Sequence, residues 1–465
     1  MKDSLKKIFF LFRLGIVILI LALTYWQIIA GSRIANLPEN PRLAKQEEKL
    51  LRGRILDRNG QIICSTIDGK RQYGGPSSLA PLIGYISGRQ GKSGLELFFS
   101  RELLGQLPAQ RLINFARQLF GKKPEGSDVY LTLDLHVVEA AQRALAGRRG
   151  AVVGVDVRTG EILVLATSPA FDPNRIGEDW RRLSQDSSSP LLNRPLQGLY
   201  PPGSTFKLIT AIGVLNWHLI DLNERFYCPG RIEIQGHTIE CFHGKAHGWI
   251  DLKEALAVSC NVTFVRLAER LGKERFYETI KNMGLDRKPE LGVPVSRTRI
   301  PPFRGQGSSS LPQLAIGQGS LLVTPIQMAV LAAAVADGTV RSPYFLRQTQ
   351  AGDRVLERGH SNWQREVNMA ALSVLREDLR YAVAEGTGRA ADAPGLSVAG
   401  KTGTADNPHG RPHAWFVGFA PSEDPSLALA VVIENAGSGG EAAAPVARAV
   451  FQAARDYGYF AGVQD

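Results

Sequence analysis

The chain has 465 residues, of which 44% are hydrophobic and 21% are charged, so it is long enough for two or three globular domains. Its net charge is +11, and its basic residues are scattered along the chain rather than interleaved with aromatic residues as in a nucleic-acid-binding groove. This pattern excludes a nucleic-acid partner and favours attraction to an acidic surface such as anionic lipid or cell-wall polymer. Four cysteines without a Cys-x-x-Cys pair exclude a disulfide scaffold, and phosphate-loop and dinucleotide fingerprints are absent.

The N-terminal segment predicts a membrane anchor at residues 8–30, preceded by a cytoplasmic tail at residues 1–7. Residues 14–30 carry no charge, and counted from Ile8 the apolar stretch is long enough to span a bilayer if Arg13 snorkels to the interface. Positive charge before the span puts the N-terminus in the cytoplasm and the rest of the chain outside. A cleaved signal peptide is the alternative, because a partial cleavage site follows the span.

Residues 31–148 are predicted to form a small, strand-rich pedestal. The sequence Asp-Arg-Asn-Gly at 57–60 predicts a hairpin turn between strands at 55–56 and 62–63, and the arginines around it are interpreted as solvated. We find no acidic pair here that suits catalysis, and the segment is too short for an additional large enzyme domain. A spacer is therefore the simplest interpretation.

Residues 149–465 are predicted to form an α/β domain with a five-stranded antiparallel sheet flanked by helices. Just before it, Asp134 is placed to cap a helix over 135–145. The closing helix is expected over 446–454. The five expected strands are at 151–156, 161–167, 398–404, 414–420 and 427–432.

The stretch around Ser204 is the first candidate for chemistry. Pro-Pro-Gly at 201–203 breaks the preceding structure, Ser204 is expected as a helix N-cap, and residues 205–215 predict a buried helix. Lys207 would share a helix face with Ser204, and a hydroxyl beside an amine suits a serine nucleophile with a lysine base. The alternative is a capped helix of the core with no role in chemistry. Ser-x-x-Lys alone is a weak pattern, because the residues from Ser4 to Lys7 also match it.

A segment rich in cysteine and histidine follows. Cys228 and Cys241 flank a predicted hairpin at 231–240, where a disulfide, free thiols or a Cys/His zinc site are the alternatives, although no familiar zinc spacing is matched. Three histidines lie close in sequence, His237, His243 and His247. Cys260 is interpreted as a small packed side chain. We assign no metal or cofactor to the chemistry.

Ser259 and Asn261 form the second polar motif. Asp251 opens a capping box at the start of the helix that leads to them. Their side chains are expected to turn into a cleft, because burial would leave them unsatisfied. An N-cap at a junction between two helices is the alternative.

A third polar motif lies on the predicted strand at 398–404. Lys401, Thr402 and Thr404 would offer a cation and hydroxyls to a carboxylate, and Gly403 would allow another group to approach the backbone closely. An exposed edge strand rich in lysine and threonine is the alternative.

The three motifs in this order resemble those of penicillin-binding proteins and serine β-lactamases. They are Ser204-Thr-Phe-Lys207, Ser259-Cys-Asn261 and Lys401-Thr-Gly403. Tyr-Pro-Pro-Gly before Ser204, Arg-Gly-Arg-Ile-Leu-Asp-Arg-Asn-Gly at 52–60 and Gly-Gln-Gly at 317–319 are similar to class B, monofunctional penicillin-binding proteins of the elongation and division type. The resemblance runs from the anchor to about Phe451, with a pedestal shorter than in the largest members.

The resemblance implies a peptidoglycan D,D-transpeptidase with the penicillin-binding transpeptidase fold. Ser204 would attack the carbonyl between two D-alanines of a donor stem peptide, release the terminal D-alanine, and pass the acyl group to an amine of a neighbouring stem peptide. Lys207 would accept the serine proton as a neutral amine, its pKa lowered by burial and by a charged Lys401. Ser259 would relay that proton, and Asn261 would bind the substrate backbone and help hold Lys207.

The third motif would recognise the substrate. Lys401, Thr402 and Thr404 would bind the terminal carboxylate, with Gly403 between them, and the backbone N–H groups of Ser204 and Thr404 would form an oxyanion hole. β-Lactams would acylate the same serine. A β-lactamase or β-lactam sensor, which has the same motifs, and a non-enzymatic scaffold are the alternatives.

The resemblance also implies a location and partners. The chain would be a single-pass protein of the cell inner (cytoplasmic) membrane with its catalytic domain outside. Its substrates would be stem peptides on lipid II-derived glycan. Because no glycan polymerase is encoded here, the span and pedestal are expected to contact a polytopic membrane polymerase.

Overall fold

The computed structural model describes residues 2–26, 50–234, 236–302, 310–367 and 369–460. Within this part of the chain no helix is both long enough and apolar enough to cross a membrane. The predicted anchor at 8–30 is therefore not confirmed, and residues 27–30 of it lie outside the described residues. The longer helices are Lys2–Thr24, Pro108–Leu119, Leu135–Leu145, Ile176–Gln185, Lys207–Asn216, Asn261–Leu271, Lys273–Asn282, Pro325–Asp337, Met369–Ala384 and Ala444–Asp456.

The main sheet has five antiparallel strands, as predicted. In spatial order they are Ala399–Ala405, His413–Ala420, Leu427–Ile433, Gly150–Asp156 and Ile162–Ser168. Nearly every residue in them is buried, which explains their continuous apolar runs. Strands from both ends of the domain thus close one sheet, and the strand that carries the third motif lies at its edge.

Helices pack against this sheet. Pro325–Asp337 contacts the strands Leu427–Ile433 and Gly150–Asp156, while Leu135–Leu145 and Ala444–Asp456 pack on each other and on the sheet. The predicted cap of Leu135–Leu145 is confirmed, because the carboxylate of the preceding aspartate accepts hydrogen bonds from two backbone N–H groups of the first turn.

The pedestal sheet draws strands from two separate parts of the chain. In spatial order it contains Arg354–Arg358, Leu346–Ala351, Asp128–Leu131, Ile55–Leu56, Ile62–Ile67 and Lys70–Tyr73. Leu346–Ala351 belongs to the segment predicted as the main domain, yet it pairs antiparallel with Asp128–Leu131. Backbone hydrogen bonds therefore join the pedestal to the main domain. The boundary at 148 stays a prediction, and 31–49 and 461–465 lie outside the described residues.

The hairpin at 55–63 is confirmed, and its turn is built around a buried carboxylate. Asp57 Oδ1 accepts the backbone N–H groups of Asn59 and Gln61, each at 2.8 Å, and its Oδ2 accepts that of Leu135 at 3.2 Å. The turn thereby docks on the first turn of the helix Leu135–Leu145, which packs on the main sheet.

The interpretation of the hairpin arginines as solvated is wrong for Arg52. Arg52 and Arg71 both donate to the fully buried Glu96, at 2.9 and 2.6 Å. Burial alone would raise the pKa of Glu96, but the two guanidinium groups outweigh it and hold that pKa below its usual value. Sequence could not reveal this network, because its members come from three separate segments. Arg54, in contrast, is exposed and pairs with Asp128.

Four two-stranded sheets complete the described structure. They pair Ile86–Ser87 with Gly91–Lys92, Phe226–Cys228 with Gly248–Ile250, Arg231–Ile234 with His237–Glu240, and Thr339–Arg341 with Gln364–Glu366. The second and third belong to one excursion of the chain, which lies between the motif at Ser204 and the motif at Ser259.

We expect Glu96→Gln to destabilise the protein strongly. The change leaves two buried guanidinium groups without their carboxylate, which costs about 3–5 kcal/mol in comparable sites. Denaturant unfolding measures this cost. The matched control is Glu139→Gln, which removes an exposed pair with Arg143 and should cost less than about 0.5 kcal/mol. Equal costs for the two variants would show that the buried network does not stabilise the pedestal.

Candidate active site

Ser204 lies in a short 3₁₀ turn, Gly203–Phe206, directly before the α-helix Lys207–Asn216. The prediction that Ser204 caps this helix is wrong, because it sits inside the 3₁₀ turn and no side chain bonds to the first turn of the α-helix. The helix itself is buried, as its apolar sequence predicts. Ser204 is half-buried at the point where that helix begins.

Close packing on three sides holds the turn. The Gly203 N–H donates to the carbonyl of Gly317 at 3.0 Å, and Trp415 Nε1 donates to the carbonyl of Pro201 at 3.0 Å. Gly203 has a φ of +55°, and a Cβ there would lie 2.7 Å from the carbonyl oxygen of Thr404. Glycine is therefore required both for the backbone conformation and for contact with the third motif.

The second motif occupies a sharp turn between two helices. Leu252–Ala257 begins with the predicted capping box at Asp251 and is followed by Ser259, whose φ is +58°. A serine in the left-handed region costs on the order of 1 kcal/mol, and such strain clusters at functional sites. The next helix, Asn261–Leu271, has Cys260 as its N-cap, so neither polar residue of the motif is the cap.

Lys207 joins the first motif to the second. Its side chain is fully buried, and Nζ lies 2.7 Å from the backbone carbonyl oxygen of Ser259, 3.1 Å from Ser259 Oγ and 2.7 Å from Asn261 Oδ1. The carbonyl and amide oxygens can only accept, so they take two N–H bonds of the amine. The Ser259 hydroxyl can also donate, so a neutral amine can accept its proton with the nitrogen lone pair.

The environment favours that neutral amine. Burial lowers the pKa of Lys207 to about 8, against an opposing effect of the sulfurs of Cys260 and Cys241. Burial and the charge of Lys207 lower the pKa of Lys401 well below its usual value. Burial is thus the cause that lowers the pKa of Lys207, and the charge effect predicted from Lys401 acts instead from Lys207 on Lys401. Two ammonium groups in one buried region repel each other, so the pair favours at most one proton.

The third motif lies on the edge strand Ala399–Ala405, which is buried rather than exposed. Lys401 Nζ donates to the carbonyl of Thr402 at 3.0 Å. A Cβ on Gly403 would lie 2.9 Å from Thr205 Cγ2, which shows how closely the strand packs on the Ser204 turn. An edge strand keeps backbone N–H groups free on its outer side, which a substrate can use.

Sequence reasoning missed two groups that position these motifs. The hydroxyl of Thr387 lies 2.6 Å from Thr402 Oγ1, and its N–H donates to the carbonyl of Ala257. The Asn261 side chain donates to the carbonyl of Glu240 at 2.7 Å. Neither group stands in a recognisable pattern, and only the folded chain brings them to the site.

Together these contacts make an acyl-transfer site. The half-buried hydroxyl of Ser204, the buried amine of Lys207 with its lowered pKa and the hydroxyl of Ser259 are the kinds of group that acyl transfer through a serine requires. The edge strand and the 3₁₀ turn bring backbone groups of the third and first motifs into contact, as an oxyanion hole requires. All of the predicted site residues lie on these three packed segments.

Comparison with known sequence families gives two matches. Residues 150–452 match the family described as the penicillin binding protein transpeptidase domain, and residues 52–129 match the penicillin binding protein A dimerisation domain. The second match covers most of the described pedestal.

Curated relatives and solved structures agree with these matches. The chain is 31% identical to peptidoglycan D,D-transpeptidase PbpA of Mycolicibacterium smegmatis, over 98% of this chain and 99% of that protein. It is 32% identical to peptidoglycan D,D-transpeptidase MrdA of Acinetobacter baumannii, over 78% of this chain and 60% of that longer protein. The ceftriaxone acyl-enzyme of penicillin-binding protein A from Mycobacterium tuberculosis superposes with a TM-score of 0.82 and 30% identity, covering 88% of this chain and 99% of that one. The chain belongs to the penicillin-binding protein transpeptidase family.

Proposed function

We propose that this chain cross-links peptidoglycan stem peptides as a serine D,D-transpeptidase, with Ser204 as the nucleophile. The observation that carries the assignment is the amine of Lys207, fully buried directly after the Ser204 turn and hydrogen-bonded to both Ser259 and Asn261. β-Lactams acylate the same serine, because their strained amide presents the same carbonyl chemistry. This activity agrees with the family and with the acyl-enzyme form of the related structure.

In the acylation step, Ser204 Oγ attacks the carbonyl carbon between two D-alanines while Lys207 takes its proton. The tetrahedral oxyanion accepts hydrogen bonds from the backbone N–H groups of Ser204 and Thr404, each contributing roughly 2.7–4 kcal/mol of transition-state stabilisation. Ser259 passes the proton to the departing amine, and the terminal D-alanine leaves. The C–N bond has then been exchanged for an ester bond to the enzyme.

In the second step an amine of a neighbouring stem peptide attacks that ester. The attacking amine loses a proton along the same path in reverse, and Ser204 recovers it as it leaves. Lys401, Thr402 and Thr404 bind the terminal carboxylate of the donor before acylation, beside Gly403, and Asn261 binds its backbone. The hydroxyl of Thr387 contacts that of Thr402, and this contact orients Thr402 for substrate binding.

The N-terminal segment supports a proposal about location and partners. Residues 14–30 carry no charge and follow a basic tail, and large apolar side chains between Phe9 and Trp26 are exposed. We infer that this segment anchors the chain in the cytoplasmic membrane with the catalytic domain outside. There the chain works on lipid II-derived glycan beside a polytopic polymerase, an activity that neither of its two matched domains supplies.

We expect Ser204→Ala to abolish covalent labelling by a fluorescent penicillin, because the hydroxyl that forms the ester is gone. Gel fluorescence after denaturation measures the labelling, and circular dichroism checks the fold. The matched control is Ser4→Ala, which removes the other Ser-x-x-Lys serine and should leave labelling unchanged. Equal labelling of wild type and Ser204→Ala would mean that another residue is the nucleophile.

The acylation rate should depend on the protonation of Lys207. With a pKa of about 8, the neutral base becomes about tenfold scarcer for each pH unit below that value, so the rate should rise with pH and level off above about pH 8. Stopped-flow acylation by a chromogenic β-lactam gives the profile. Lys207→Arg keeps the cation but cannot lose its proton, so it should be slower by roughly 10²–10⁴ at every pH. A flat wild-type profile would assign the base to another group.

Deletion of residues 1–30 should release the protein from the membrane and uncouple it from the polymerase. The truncated chain keeps the catalytic domain, so penicillin labelling should persist in the soluble fraction. Glycan synthesis by the polytopic polymerase is then measured in three samples. They contain the polymerase alone, the polymerase with the full chain, and the polymerase with the truncated chain. Equal glycan output in all three samples would contradict the proposed partnership.

A further inference from the structure

Four metal-ligating side chains converge behind the second motif. Cys228, Cys241, His247 and Cys260 place one ligand atom each within 4.8 Å of all the others. Cys228 ends one short strand, Cys241 follows the hairpin, His247 precedes the next strand, and Cys260 caps the helix Asn261–Leu271. The three cysteines are buried, with exposed fractions of 0%, 3% and 0% in chain order.

Three of the six distances between these atoms are close to those of tetrahedral coordination, and all six are within 4.8 Å. The Sγ atoms of Cys228 and Cys241 lie 3.6 Å apart, those of Cys241 and Cys260 lie 3.7 Å apart, and Cys228 Sγ lies 3.4 Å from His247 Nδ1. Zinc–sulfur bonds of about 2.3 Å and zinc–nitrogen bonds of about 2.0–2.1 Å at tetrahedral angles place sulfurs roughly 3.8 Å apart and sulfur and nitrogen roughly 3.6 Å apart. A single zinc ion thus fits between all four.

The groups around the sulfurs suit thiolate ligands. Backbone N–H groups of Asn261 and Val262 donate to Cys241 Sγ, and Thr263 donates to Cys260 Sγ from its N–H at 3.4 Å and its hydroxyl at 3.2 Å. Such outer hydrogen bonds orient and stabilise metal-bound cysteines. A disulfide would use only two of three thiols and would leave the third sulfur and the imidazole without a role.

The excursion that carries these ligands has little core of its own. Both strands of its hairpin, Arg231–Ile234 and His237–Glu240, have mostly exposed or half-buried residues among those described. An isolated two-stranded hairpin is marginal in water, and small units of this kind gain stability from a metal. The ligands lie where the two ends of the excursion meet the catalytic helix.

We propose that Cys228, Cys241, His247 and Cys260 bind one structural Zn²⁺ that holds the 226–250 excursion against the second catalytic motif. Four protein ligands close the coordination sphere, so the ion takes no part in the chemistry. Glu240, beside Cys241, accepts the hydrogen bond from the Asn261 side chain at 2.7 Å. Provided that Ser259 and Asn261 have the roles proposed above, the metal therefore positions the partners of Lys207.

Metal content of the full chain, purified without chelator, tests the site. We expect about one zinc per chain by mass spectrometry, lost in Cys228→Ser. The matched control is Cys64→Ser, a buried thiol of the pedestal that donates to Glu96, and it should keep the metal. His247→Cys should retain zinc as a fourth thiolate, whereas His247→Ala should weaken its binding. Zinc-free wild type, or equal zinc loss in Cys64→Ser, would overturn the proposal.

Two measurements separate this site from the catalytic assignment. Ser204→Ala should lose penicillin labelling but keep its zinc, whereas Cys228→Ser should lose zinc and be acylated roughly tenfold more slowly. If Cys228→Ser does not fold, cobalt replaces zinc in the wild-type chain, and thiolate-to-cobalt charge-transfer absorption reports the ligands. Absence of that absorption, or a Cys228–Cys241 disulfide found by non-reducing peptide mapping, would show that no metal is held there.

Discussion

The burial of one amine is the constraint on which the active site depends. Lys207 lies at the start of an apolar helix with no access to water, and removing an ammonium from water without compensation is costly. Its bonds to Ser259 and Asn261 satisfy the nitrogen, while burial shifts its balance toward the neutral form. The same burial that lowers the pKa of the lysine obliges the second motif to lie against it.

The remaining architecture brings three distant segments to that amine. The sheet joins strands from both ends of the main domain, and its edge strand packs on the Ser204 turn so closely that Gly203 and Gly403 have no room for a side chain. On the other side, the left-handed backbone of Ser259 turns the chain between two helices. Rigid elements therefore hold each polar group, which preorganises the site before substrate binds.

The turn with Ser259 and Asn261 lies between two clusters of polar side chains. In front of it is the buried Lys207, and behind it the sulfurs of Cys241 and Cys260 converge with Cys228 and His247. The hairpin of this excursion has few buried residues, and the excursion meets the turn through Phe226, Ile250 and the buried cysteines. The excursion and the Lys207 amine therefore contact opposite sides of the same turn.

Sequence alone determined the strands of the main sheet, the capped helices at Asp134 and Asp251, and the three polar motifs, because these depend on local patterns of burial, turns and caps. It misassigned Ser204 as a helix cap and Arg52 as solvated, and it left the cysteines undecided among three states. The tertiary structure corrected the first two points and brought three of the cysteines together with His247. The Glu96 network, the Thr387–Thr402 contact and the four-residue Cys/His cluster each join residues from separate segments, and no local pattern records a contact that forms only when the chain has folded.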